Sequence, residues 1–395
     1  MSAVRLWVPR AVTPAGVRER VRLAVVDGAI ESVEEGVEPD AGDECLDGML
    51  LPGLVDLQVN GGDGASYASA DRAERQRATT YHVRRGTTSL LATLVSAPAD
   101  ALERAIGRLA QDVEPSGPVI GLHVEGPFLS EDKSGAHARG ALCDPTPERV
   151  KRVLEPARGT LRLITLAPER PGALEAIPQF VREGAVVAAG HSLATYDQVS
   201  RAVEAGLSFV THVGNASEWP SRPFDEVRGY RRSEPGLVGS FLADARLSGS
   251  LVLDGLHLHP ALARALVELR GPAHVVLVSD ATAAAGLGPG QYDLDGFAFE
   301  VREAGYAVAP GGGLAGSTIT LLDAVRIGVE QAGLPLADCV AMASSVPARL
   351  LGLERKGALR AGADADLLLV SADWQVLRVY TAGVRTAVGP APSIS

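Results

Sequence analysis

The sequence predicts an α/β fold: a (β/α)8 TIM barrel with a small β-sandwich domain built from both chain termini. Three observations predict it. The middle of the chain alternates eight compact apolar runs with helical patterns, as parallel strands with crossover helices do. The two ends instead read as short strands separated by turn residues. Imidazole and carboxylate groups close several of the central runs, and in a barrel the C-terminal strand ends share one face.

Residues 1–51 contain the runs VRLWV, VRLAVVDGAI and ECLDGMLL, and residues 357–390 return to the same pattern in GALRAGADADLLLVSADWQVLRVYTAGV. These two segments are expected to pair into the small domain, leaving 52–356 as one continuous catalytic barrel. Its eight runs are LVDLQVN (54–60), SLLATLV (89–95), VIGLHVE (119–125), LRLITLA (161–167), AVVAAGH (185–191), SFVTHV (208–213), SLVLDG (250–255) and HVVLVSD (274–280). Between them, PADALERAIGRLAQD and TPERVKRVLE have helical spacing, with Thr146 placed to cap and Pro147 at the first helical position. Eight such units favour a closed barrel; an open doubly wound sheet is the alternative.

Composition sets the outer bounds. With 395 residues, 46% hydrophobic and 22% charged, the chain can bury a large core plus an accessory unit and is not a disordered protein. Its 44 glycines and 25 prolines fall singly between apolar runs, which predicts many turns and short loops. A net charge of −11 supplies no general basic face, so a nucleic-acid partner is not expected. Cys45, Cys143 and Cys339 are odd in number and far apart, which predicts free thiols in a reducing compartment. No run approaches the ~18 apolar residues of a membrane span, and the start MSAVRLWVPRAV has no apolar signal core. A cytoplasmic protein without a membrane partner is expected.

Buried parallel strands should be apolar throughout, so polar groups at their ends need a reason. Glu125 ends the third run, His191 the fifth and Asp280 the eighth, and His212 lies near the end of the sixth. One histidine at a strand end is commonly a core or capping residue, and one aspartate a helix cap. Four such residues on one face instead suggest a metal site. A carboxylate and two imidazoles form a three-ligand set for one divalent cation, with Zn2+ the favoured choice. Such an ion lowers the pKa of water from about 15.7 toward ~7. Asp280 beside it would take the water's proton and pass it to a departing amine.

At these residues the chain resembles the N-acetylglucosamine-6-phosphate deacetylase family of the amidohydrolase superfamily. The likeness runs through PGLVDLQVNGG (52–62), GLHVEGPFL (121–129), KSGAH (133–137), AGHS (189–192), THVGNA (211–216), DGLHLHP (254–260), SDATAAAG (279–286) and LAGST (314–318). HVEGPFL together with DGLHLHP is its most specific part. The resemblance implies removal of the acetyl group from an N-acetyl amino sugar, N-acetylglucosamine 6-phosphate foremost, by a homodimeric enzyme. It implies Glu125, His191 and His212 as metal ligands and Asp280 as general base and acid. It also implies a sugar site lined by Ala136, His137, Asn215, Ala216, the Asp254 to His257 stretch, Leu314, Ala315 and Gly316. His137, in a polar glycine-containing loop, is expected to polarise the acetyl carbonyl as a second catalytic residue.

Two departures qualify the resemblance. Gln58 and Asn60 stand where many amidohydrolases carry His-X-His, and amides bind zinc far less readily than imidazoles. One metal is therefore expected, with Gln58 and Asn60 facing substrate. Ser233 stands where the family carries an arginine for the sugar phosphate, in the longer stretch NASEWPSRPFDEVRGYRRSEPG. A serine hydroxyl cannot replace a guanidinium fork. Arg232 is the expected substitute, with Arg222, Arg228 and Arg231 nearby; their alternative reading is a solvated loop. The galacto isomer and unphosphorylated sugars stay open as substrates. A two-metal cyclic-amide hydrolase is disfavoured because Lys133, Lys151 and Lys356 are the only lysines and none ends a barrel run. A non-catalytic sugar-binding barrel would not need the four-residue cluster.

Overall fold

The structure is a computed structural model that describes residues 4–386 apart from 115, 218, 222–223, 226–229, 232, 295–296 and 310–311. All eight central runs form parallel strands in chain order: Leu54–Val59, Thr87–Val95, Val119–Glu125, Leu161–Leu166, Val186–Ala189, Phe209–Val210, Ser248–Val252 and Val275–Val278. A helix follows each, from Arg72–Val83 after the first to Leu321–Glu330 after the eighth. The barrel closes just beyond the last strand. There Asp280 N–H donates to Gln58 O at 2.9 Å and Asn60 N–H to Ala281 O at 2.7 Å. Buried Asp56 reinforces this seam by accepting from Ser279 N–H at 3.2 Å. Its carboxyl is pushed up to about 7 by burial.

The barrel interior is filled by Val55, Leu57, Leu91, Leu163, Ala188, Phe209, Val252, Val276 and Val278. A larger apolar layer lies between strands and helices, with Phe128, Phe180 and Phe241 fully buried in it. The short two-residue sixth strand differs from the six-residue run predicted for it, and the same truncation recurs elsewhere. His191, His212 and Asp280 each lie two residues past their strand, with φ of 48°, 31° and 48°. The ladder stops because the backbone turns into the left-handed region there. Such conformations cost roughly 1–3 kcal/mol for non-glycine residues and cluster at functional sites.

Strands from both termini join in one sheet beside the barrel, running Val384–Thr386, Val376–Thr381, Leu367–Val370, Met49–Pro52, Val4–Thr13, Gly16–Val26 and Ala29–Glu34, with Glu44–Cys45 pairing Val4–Thr13. Its own core includes Leu6, Val8, Leu23, Ile30, Leu50, Leu367 and Leu369. Gly53 joins this sheet to the first barrel strand. Its N–H donates to Asp366 O at 2.8 Å, and an added Cβ would lie 2.2 Å from Thr88 Oγ1 and 2.9 Å from Asp366 Cβ. Gly53→Ala should therefore cost about 1–3 kcal/mol by overpacking, read as a lower urea midpoint at unchanged slope; an unaltered midpoint would show that the junction can relax.

Smaller expectations divide. Pro147 opens the helix Pro147–Ala157, but Thr146 at its cap makes no side-chain bond to the helix backbone. His259 caps Pro260–Arg270, accepting from Ala261 N–H at 3.2 Å. The cysteines are all free. Among the described residues no helix is long and apolar enough to cross a membrane. A three-stranded sheet, Gly290–Leu294, Phe297–Val301 and Ala307–Val308, was not expected in a chain read as short-looped.

Candidate active site

Glu125, at the end of the third strand, is the centre of the mouth. It is 3% exposed, and its Oε1 lies 2.8 Å from His212 Nε2 and 3.2 Å from His191 Nε2. Among the described residues these three are the group whose ligand atoms could share one ion, all lying within 4.8 Å of one another. The imidazole rings stand edge to face, with centroids 4.9 Å apart.

The partners of the outer ring nitrogens fix what the inner ones can do. His191 Nδ1 is 2.7 Å from Lys133 O, and His212 Nδ1 is 3.1 Å from Asn215 O. A carbonyl oxygen only accepts, so each Nδ1 carries the proton, and in the neutral ring each Nε2 carries a lone pair facing Glu125. Three lone-pair donors converging on one point repel one another unless a cation or a proton lies between them. The residues present thus fit a divalent ion.

In the cation-free protein a proton fills that role. Burial pulls His212 down, but the hydrogen bond and charge of Glu125 outweigh it and raise the imidazole to about 9. Glu125 is held well below the usual carboxylate range: burial opposes this, and hydrogen bonds from His137, His191 and His212 override it. His191 is lowered, chiefly by burial. At neutral pH His212 is then protonated, whereas a cation takes only neutral imidazole. Zn2+ binding at pH 7.5 should release about one proton, measured by calorimetry in buffers of different ionisation enthalpy; no buffer dependence would contradict this.

Asp280 lies beside the cluster. Asn60 Nδ2–H donates to its Oδ1 at 2.8 Å, and its carboxyl is raised to about 6 by burial and by the negative charge of Glu125. His137 also reaches the centre, with Nε2 3.7 Å from Glu125 Oε2 and its ring centroid 4.5 Å from that of His191. Gly135, at φ 56°, lets this loop cross His191, because a Cβ there would lie 3.0 Å from His191 Cε1. His257 Nδ1 donates to Asp254 Oδ2 at 2.6 Å. Asn215 and Ala216 follow His212, with Ala216 O accepting from Ser192 N–H at 3.1 Å. Leu314, Ala315 and Gly316 lead into Ser317, whose N–H donates to Asp280 O at 3.2 Å. Ala136 is exposed on the loop before His137.

Among the described residues, three buried amide atoms have no partner: Gln58 Nε2, Asn60 Oδ1 and Asn215 Nδ2. They leave hydrogen-bonding capacity unused in the protein itself. Arg232, Arg222 and Arg228 lie outside the described residues; Ser233 is exposed. Trp219 folds back on the rim, donating from Nε1 to Gly214 O at 3.1 Å. Of the lysines, Lys133 meets the site through its carbonyl, while Lys356 pairs with Asp364 and Asp366.

The sequence reading missed several supporting residues. Glu169 accepts from Ser192 Oγ at 2.6 Å and Leu193 N–H at 2.7 Å, just after His191. His123 bonds Thr165, which bonds Thr211, the neighbour of His212, at 2.8 and 2.7 Å. His123, on the strand of Glu125 and two residues before it, was legible from that period-two spacing, and it is fully buried. Asp56 was detectable as a carboxylate inside an otherwise apolar run. Glu169 carried no such signal, since it follows a strand by three residues in a turn.

The profile of the amidohydrolase family matches residues 49–385. This chain belongs to the amidohydrolase family. Curated members similar to it include an N-acetylglucosamine-6-phosphate deacetylase from Lysinibacillus sphaericus, 31% identical over 91% of each chain. An N-acetylgalactosamine-6-phosphate deacetylase from Escherichia coli O157:H7 is 32% identical over 95% of this chain and 97% of its own. Among solved amidohydrolases, the N-acetyl-D-glucosamine-6-phosphate deacetylase of Mycobacterium smegmatis superposes with a TM-score of 0.89 at 36% identity, covering 97% of this chain and 100% of the other. Amidohydrolases are generally metal-dependent, in keeping with the Glu125, His191 and His212 cluster.

Proposed function

We propose that this chain is a metal-dependent deacetylase of N-acetyl amino sugars, converting N-acetylglucosamine 6-phosphate to glucosamine 6-phosphate and acetate. The observation that carries the reading is the convergence of Glu125, His191 and His212 with Asp280 beside them. The names of the relatives supply the substrate class. In this reading 52–356 is the catalytic unit, and a homodimer is the assembly.

Glu125 Oε1, His191 Nε2 and His212 Nε2 would hold one cation, Zn2+ by the chemistry of a mixed oxygen and imidazole set. Such an ion supplies a water acidic enough to attack at neutral pH and polarises the carbonyl under attack. Asp280 receives the proton of the attacking water at Oδ2, since Asn60 occupies Oδ1. It returns that proton to the amide nitrogen as the carbon–nitrogen bond breaks, so the amine departs neutral and the water oxygen leaves in acetic acid, which then gives up its remaining proton to become acetate. His137 Nε2 steadies the acetyl oxygen. Gln58, Asn60 and Asn215 offer their unpartnered amide atoms to the sugar, and His257, held by Asp254, offers its Nε2.

Acetate release should be highest from N-acetylglucosamine 6-phosphate, measured beside its galacto isomer and unphosphorylated N-acetylglucosamine, with about one equivalent of zinc bound. No release from any of them by zinc-loaded protein would refute the reading, and two tightly held equivalents would refute its single-metal form. Two observations keep alternatives within this class. Relatives named for the gluco and galacto sugars match at 31% and 32% identity, so the isomer is chosen by this assay. Ser233 in place of the expected arginine favours an unphosphorylated substrate unless Arg232 binds the phosphate. His137→Asn should lower kcat by about 10²-fold, the order of one lost carbonyl-oxygen donor, with little change in KM. An unchanged kcat would remove His137 from the chemistry.

A further inference from the structure

The second barrel strand, Thr87–Val95, sends no side chain to the cation cluster, yet the next residue lies against it. Ser96 is 6% exposed. Its backbone N–H donates to His137 Nδ1 at 3.2 Å, and its Oγ lies 2.9 Å from the same nitrogen. The hydroxyl is also 3.4 Å from Glu125 O. A backbone N–H only donates, so His137 Nδ1 carries a lone pair, and the proton of the neutral ring is on Nε2. With the lone pair on Nδ1 assigned by that N–H, the single hydroxyl proton goes to Nδ1 at 2.9 Å rather than to Glu125 O, the competing acceptor at 3.4 Å. This is the reverse of His191 and His212, whose Nδ1 atoms meet carbonyl oxygens.

Three imidazoles therefore surround Glu125 in two different states. Two have Nδ1 tied to a carbonyl oxygen, so that in the neutral ring Nε2 is the ligand atom. The third presents an Nε2–H and is not fit to be a ligand, although its Nε2 is 3.7 Å from Glu125 Oε2. We propose that Ser96 is a positioning residue that holds His137 as an Nε2–H donor, keeping it out of the ligand set and available to the acetyl carbonyl oxygen. The last step rests on the deacetylase reading; the tautomer does not. The assignment also accounts for a three-ligand site in a mouth with three histidines, since a fourth protein ligand would take the position that water needs.

The test is the imidazole 15N spectrum of the zinc-loaded enzyme without substrate, with His137 identified by the signals lost in His137→Asn. The expected spectrum has His137 protonated at Nε2 and not at Nδ1, with His191 and His212 protonated at Nδ1. Ser96→Ala keeps the backbone donor but loses the hydroxyl. It should lower kcat roughly tenfold, the order of one hydrogen bond, with KM and zinc content unchanged, and Ser96→Thr should restore kcat. A His137 protonated at Nδ1 would overturn the proposal, as would a Ser96→Ala enzyme with normal kcat or with zinc loss matching its loss of activity. An Nε2–H His137 in a protein that deacetylates no sugar would overturn the deacetylase reading and the carbonyl role, while leaving the tautomer assignment in place.

Discussion

Asp280→Asn should lower kcat by about 10³-fold, within the range for a lost general acid–base group, while zinc content stays at the wild-type level. The amide matches the carboxylate in size and can still accept from Asn60 Nδ2–H, but it cannot take up a proton. Both proton transfers would fail at one atom. The pH profile gives an independent reading. Asp280 acts as a base only when ionised, so kcat/KM should fall as pH drops through its pKa. That value is raised to about 6 by burial and by the charge of Glu125. A cation bound to Glu125 cancels the second cause, so the acid limb belongs at or below about pH 6. It should vanish from the residual activity of Asp280→Asn. A variant that keeps wild-type kcat, or the same limb, would assign the proton to another group.

Glu125→Gln should remove activity by removing the ion. The carboxylate is the ligand on which both imidazoles converge, at 2.8 and 3.2 Å, and an amide oxygen brings no charge to offset a divalent cation. The affinity loss should exceed the roughly 10–100-fold typical of losing an outer partner of a ligand. A second signature follows from His212. Its rise to about 9 comes from Glu125 acting against burial. Without that carboxylate, burial is opposed only by the charge of Asp280 and a backbone hydrogen bond, so the ring should fall from about 9 and be less protonated at neutral pH. The proton released on zinc addition at pH 7.5 should therefore disappear along with the binding. Zinc retained at full occupancy in Glu125→Gln would contradict the assigned ligand set.

The barrel was legible because its strands are buried on both faces and read as continuous apolar runs. The strand ends were less so. His191, His212 and Asp280 are polar and closed those runs in the sequence, but a left-handed turn two residues past each strand leaves no mark in composition. The antiparallel pair Gly290–Leu294 and Phe297–Val301 carried a usable signal in the alternation of QYDL and the aromatic, β-branched content of FAFEV.

Within the site, residue type and strand position picked out Glu125, His191 and His212, whose ligand atoms the structure brings together, and Asp280, whose carboxyl feels the charge of Glu125. They could not find Ser96 or Glu169, because a serine or glutamate beyond a strand is ordinary until the loop it touches is known. The tautomers of the three histidines depend on Lys133 O, Asn215 O and Ser96 N, all backbone atoms, and no side-chain pattern encodes them. Arg232, chosen to replace the missing phosphate contact, falls outside the described residues, so the sugar's sixth carbon is the part of the site that the substrate assay must decide.

The most direct measurement of the central claim is anomalous diffraction at the zinc edge from crystals of the zinc-loaded enzyme. One strong peak bonded to Glu125, His191 and His212, with Asp280 beside it, is the predicted result. A peak elsewhere, or a second of equal height at Gln58 and Asn60, would contradict it.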